Sequence, residues 1–123
     1  MGSYTWGDGT PAWVFSTLLG NNTKNVAEAG SHEVGHTLGL YHWSGYDAAG
    51  TKLTDYYSGQ GNWAPIMGVG YYRGIVTWSK GEYANAGTSY GAGSLQDDIQ
   101  TISQKTGFSA DEAPSTLNSS VRL

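Results

Sequence analysis

The chain has 123 residues with 6 Lys plus Arg against 10 Asp plus Glu, a formal charge of −4, which fits one domain and offers no basic field for nucleic acid. Charged residues reach only 13%, while 5 Trp, 9 Tyr and 2 Phe supply bulky core material, so a highly charged disordered chain is excluded. The absence of cysteine excludes disulfides, thiolate metal sites and thiol nucleophiles, and no apolar run approaches the roughly 20 residues that span a bilayer.

Residues 2–10 read as loop. Residues 11–19 (PAWVFSTLL) are apolar and β-prone, with Pro11 where an edge strand tolerates it, so an edge strand is expected there. Asn21-Asn22 marks a turn. A helix is expected from Asn25 as N-cap, with Glu28 as its capping-box partner, to Gly39, which suits the left-handed position past a helix end. At 100° per residue Ala27, Gly30, Val34 and Leu38 share one face, expected to be buried, while His32 and His36 lie opposite. Residues 43–65, rich in Gly, Asp and Tyr, read as a long irregular connection that is functional or tied down. A second helix is expected from Ser94 as N-cap, with Asp97 three residues on, to Lys105, closed by Gly107 and carrying Leu95, Ile99 and Ile102 at helical spacing. Asp97 and Asp98 favour its dipole. Residues 108–123 are expected to form a flexible tail. The fold class is α+β in a single domain: one long helix on a small or truncated β-sheet, then an irregular C-terminal part ending in a helix.

All three histidines sit in HEVGHTLGLYH, residues 32–42. His32 and His36 are four apart on one helix, so their imidazoles project together and can hold one zinc ion. Gly39 lets the backbone break the helix with φ > 0, so that His42 can swing back as third ligand. Three imidazoles leave one position open for water, as catalytic zinc sites require. Glu33 lies about 100° around the helix, placed to take a proton from the metal-bound water rather than to ligate.

The pattern H-E-x-x-H-x-x-G-x-x-H, followed by Pro65-Ile66-Met67-Gly68, resembles the zinc signature and Met-turn of the metzincin metallopeptidases. The sequence looks closest to their bacterial reprolysin-like branch. The resemblance implies that Met67 forms an apolar floor beneath the zinc and that Tyr71 and Tyr72 line a substrate pocket or bind an oxyanion. It departs from the family at Val69, where astacin- and serralysin-like members carry Tyr, and at Trp43, where reprolysin-like members carry Asp. Residues 1–24 leave room for one strand, so the domain is expected to be a partial version of the family's, with substrate backbone lying along strand 11–19.

The expected function is therefore zinc-dependent endopeptidase action on polypeptides, with His32, His36 and His42 binding Zn²⁺ and Glu33 activating water. Two alternatives stay open: an inactive zinc-containing module that binds peptide or glycan, and a zinc hydrolase of non-peptide amides. A calcium site at Asp47 and Asp55 is a further expectation, from oxygen ligands in a Gly-rich loop. The Gly-, Ser-, Thr- and Asn-rich composition suggests a secreted bacterial protein; no membrane span is expected.

Overall fold

The computed structural model of the protein describes residues 11–108. The expected loop at 2–10 and the expected tail beyond Phe108 lie outside the described residues. The architecture is α+β, as expected. Helix α1 spans Thr23–Thr37, and after it come β1 (Trp43–Tyr46), β2 (Lys52–Thr54), β3 (Trp63–Pro65), β4 (Ile75–Thr77), β5 (Gly87–Thr88), β6 (Gly91–Ala92) and helix α2 (Asp98–Thr106). Strands β2-β1-β5-β6 form an antiparallel sheet, with Trp43 opposite Thr88 and Gly45 opposite Thr54. Strands β3 and β4 pair in parallel, Trp63 opposite Ile75. Among the described residues no helix is long and apolar enough to cross a membrane.

The expected edge strand at 11–19 is absent. Ser16–Leu19 form a 3₁₀ turn instead, ended by Gly20 at φ 65° and Asn21 at φ 53°. A strand needs a ladder partner, and the edges of the four-stranded sheet are β2 and β6; apolar β-propensity alone does not place Leu18, which is 83% exposed.

Helix α1 starts three residues earlier than expected. Asn22 is the N-cap, its side chain accepting from the Asn25 N–H at 3.1 Å. Glu28 pairs with Lys24 one turn back instead of closing a capping box. The C-terminal end agrees with expectation: Gly39 takes φ 97°, its N–H bonds the His36 carbonyl, and the Leu40 N–H bonds the Gly35 carbonyl, both at 3.0 Å. That pair of bonds is a Schellman motif.

The buried face of α1 is not the expected one. Ala27 is exposed and Val34 is 47% exposed, and only Leu38 of that face is buried, past the helix end. The helix instead lays Glu28, His32 and Gly35 against residues 66–70. The apolar count along α1 misleads because its packing partners come later in the chain and accept a face of histidine and glycine.

Residues 43–65 are not irregular, since they hold β1, β2 and β3. Strand β1 is buried at all four positions, so it shows no alternation for a period-two reading to detect. The N-cap of the second helix is Asp97, whose side chain accepts from the Gln100 N–H at 2.9 Å, three residues beyond the expected N-cap Ser94. Leu95 and Ile99 are exposed, and Ile102 alone of the three packs on the core.

The core is small: Leu40, Trp43, Met67 and Tyr83 are buried together, flanked by Tyr57, Trp63, Ile66 and Trp78. Tyr57 stacks on Tyr83 with ring centroids 3.8 Å apart, and the Tyr83 hydroxyl donates to the Ser44 carbonyl at 2.7 Å. Burial pushes the Tyr83 phenol up to about 12. Asp98 is wholly buried beside this core, accepting from Trp43 Nε1 at 3.2 Å, the Ser79 N–H at 2.9 Å and Gln96 Nε2 at 2.9 Å. Asp98 therefore does more than open a helix: it ties α2 to β1.

Candidate metal centre

One turn of α1 separates His32 from His36 and puts their ring centroids 4.9 Å apart. Gly39 then reverses the chain, Leu40 drops into the core and His42 returns, with its ring 4.6 Å from that of His36 and 5.1 Å from that of His32. The His36 and His42 Nε2 atoms approach to 2.8 Å, and the three ligand nitrogens all lie within 4.8 Å of one another. Nitrogens bound tetrahedrally at zinc distances of 2.0–2.1 Å sit about 3.3 Å apart, so side-chain shifts on the order of 1 Å close the trio on one ion.

Two of the rings are oriented from behind. His32 Nδ1 donates to the Ile66 carbonyl at 2.7 Å, and His36 Nδ1 donates to the Leu40 carbonyl at 2.8 Å. Assigning the proton to Nδ1 leaves Nε2 as the lone-pair atom on each ring, the arrangement found where histidine binds metal. Burial lowers the pKa of His32, and the carbonyl of Ile66 opposes this in part. His42 is pushed down to about 4, mainly by burial and further by the His36 and His32 rings. Both therefore stay neutral at ordinary pH, the form that ligates. The donor set fits a divalent metal that favours imidazole.

Met67 is fully buried under α1, so close that a side chain at Gly35 would meet its sulfur at 2.5 Å. Its carbonyl accepts from the Trp43 N–H at 2.8 Å, which fixes the backbone next to His42. Met67 thus joins the histidine helix to the strand that carries the third ring. Burial raises the pKa of Tyr56 and Tyr71, with the Glu33 charge adding to it, and the same charge partly opposes the burial that lowers His32.

The two tyrosines expected at the pocket part company. Tyr71 is half-buried and lines a cleft beside His32, whereas Tyr72 is 93% exposed and does not line it. The tyrosine over the histidines is Tyr56, with its ring 4.3 Å from His42 and 6.0 Å from His32. Nothing in the sequence marks Tyr56, because the connection from β2 to β3 alone carries it there. Asp47 accepts from the N–H groups of Ala49 and Thr51, and Asp55 pairs with Lys52. Among the described residues, His32, His36 and His42 are the one group of three such side chains close enough to hold a metal ion.

Comparison with family models, with curated proteins and with solved structures finds no match. The reading of this centre therefore rests on its own geometry.

Proposed function

We propose that the protein is a zinc-dependent endopeptidase of the metzincin type. The observation that carries this reading is the convergence of three imidazoles, two with Nδ1 held by backbone carbonyls, next to a carboxylate one residue from the first ligand.

His32, His36 and His42 would hold Zn²⁺. When bound, the ion supplies Lewis-acid polarisation of the scissile carbonyl and acidifies a water. Glu33 takes a proton from the attacking water as its oxygen bonds the carbonyl carbon. It then delivers that proton to the amine nitrogen as the C–N bond breaks, so acid and amine leave with all atoms accounted for. Tyr71 walls the substrate side of the site and Tyr56 covers His42, screening the rings from bulk solvent. With no strand at 11–19, the peptide is held by the opening beside α1 rather than by that segment.

The test joins metal content to turnover. Elemental analysis of the isolated chain is expected to give about one zinc per molecule, lost in His42→Ala. Glu33→Gln is expected to keep the metal and lower peptide hydrolysis by about 10²–10⁴. Retained zinc with no hydrolysis of any peptide by the parent chain would leave a binding module in its place, and activity confined to small acyl-amides would leave an amidohydrolase.

A further inference from the structure

His32 and His36 each have a backbone carbonyl behind the ring, so their aim is settled by α1 and its immediate surroundings. His42 lies past the Gly39 reversal, and its ring is placed by the path of the chain through residues 41–43. From His42 onward that path is fixed by main chain. The Ser89 N–H donates to the His42 carbonyl at 3.0 Å, the Trp43 N–H to the Met67 carbonyl at 2.8 Å, and the Tyr57 N–H to the Trp43 carbonyl at 2.8 Å. Before His42 the partner is a side chain. The Tyr41 N–H donates to Gln96 Oε1 at 3.1 Å, and Gln96 Nε2 donates to the Tyr41 carbonyl at 2.8 Å.

A primary amide carries an acceptor and two donors side by side, so it can satisfy both backbone groups of one residue as a neighbouring strand would. Gln96 does this for Tyr41, two residues before β1 begins. The other Nε2 hydrogen goes to Asp98 Oδ1 at 2.9 Å, and an ionised carboxylate accepts only, so the amide is held in one orientation. Asp98 Oδ2 accepts from Trp43 Nε1 at 3.2 Å. The lead-in to α2 therefore grips the residue on each side of His42, 55 positions earlier in the chain in both cases. Packing does less to hold residue 41, because its side chain is 46% exposed and meets the exposed ring of Tyr90.

We propose that Gln96 is the positioning residue of the third metal ligand: its amide fixes the peptide groups on both sides of Tyr41, and through them the aim of the His42 ring. The inference rests on the three histidines binding a metal, and not on which bond the centre cleaves. A residue that merely braced α2 would make the same bonds, but its loss would lower stability without changing how the metal is held.

Metal binding by the full chain separates the two roles. Zinc affinity is read by competitive titration, and Co²⁺ serves as a coloured stand-in whose visible absorption reports ligand geometry. Gln96→Met keeps the length of the side chain and loses all three bonds. It is expected to lower zinc affinity about 10- to 100-fold, the usual effect of removing a group that orients a ligand, and to shift and weaken the cobalt bands. Ile102→Ala is the control, because Ile102 packs α2 on the core and is not among the partners of residues 41–43. It is expected to lower the urea midpoint while zinc affinity and the cobalt spectrum stay as in the parent. Gln96→Glu keeps the acceptor for the Tyr41 N–H and loses the donor to its carbonyl; it too is expected to weaken zinc binding, a second variant should Gln96→Met fail to fold. Parent-like affinity and spectrum in the folded Gln96 variants, or the same loss in Ile102→Ala, overturns the assignment. A parent chain that takes up neither zinc nor cobalt defeats the metal-centre reading, and this inference with it, before any substitution is made.

Discussion

Gly35→Ala probes the joint between the histidine helix and the methionine turn. The new Cβ would stand 2.5 Å from Met67 Sδ, 3.3 Å from Trp78 Cζ3 and 3.4 Å from Leu40 Cδ1. Ordinary carbon contacts lie near 3.5–4.0 Å, so the sulfur contact alone demands about 1 Å of movement. Met67 is fully buried and its sulfur lies mid-chain, so the side chain has nowhere to swing. The relief left is for α1 to lift from the turn, which stretches the His32 Nδ1 bond to the Ile66 carbonyl from 2.7 Å to about 3.7 Å, beyond hydrogen-bond range. Overpacking of this kind costs about 1–3 kcal/mol, while alanine gains about 1 kcal/mol over glycine in a helix interior. The net expectation is a loss of up to about 2 kcal/mol, together with a 10- to 100-fold loss of zinc affinity from the broken supporting bond. Gly30→Ala is the control, because nothing lies within 4 Å of a Cβ there; it should stabilise α1 by up to about 1 kcal/mol and leave zinc affinity unchanged. Urea unfolding and competitive zinc titration of both variants read the two quantities. If Gly35→Ala matched Gly30→Ala in both, the tight seat of the helix on Met67 would be refuted.

Other outcomes follow from the same geometry. Zinc should stabilise the fold in proportion to the logarithm of its free concentration, by about 2.7 kcal/mol at a hundredfold excess over Kd, which a thermal scan reads as a rise in melting temperature that His36→Ala should abolish. Burial pushes the Asp98 carboxyl up from 3.8 to about 6. Its protonation therefore favours the folded chain, and that contribution, on the order of 3 kcal/mol, is complete below pH about 3.8 and lost as pH rises through about 6. Subtracting the pH–stability curve of Asp98→Asn from that of the parent should expose this slope; a flat difference between pH 4 and 6 contradicts it. Gly59→Ala should unfold the domain or cost several kcal/mol by chemical denaturation, since φ is +83° and a Cβ would fall 2.0 Å from the Trp63 carbonyl.

The readable part of the candidate site is the part that a single helix encodes. His32 and His36 meet because of the helical period, and Gly39 reverses the chain because glycine alone takes φ 97° without cost. Met67 was identifiable from its motif, and the structure buries it beneath the ligand helix. What escaped depends on contacts far apart in sequence. Strand 11–19 has the composition of an edge strand but no ladder to join. The outward Val34 and inward Glu28 invert the apolar-face rule, because the partner of α1 is a turn that supplies carbonyls and a sulfur rather than an apolar sheet. Tyr56 and Asp98 reach their posts through the β2–β3 connection and the approach of α2, and neither has a local signature.

The supports behind His32 and His36 are peptide oxygens of Ile66 and Leu40, not acidic side chains. Every residue type carries such an oxygen, so substitution at position 66 can alter bulk without deleting the support. Ring orientation is thereby inherited from the path of the main chain, and remodelling the surrounding surface leaves the imidazoles aimed. A carboxylate support could be erased by a single codon change; this one is lost only when the turn itself moves.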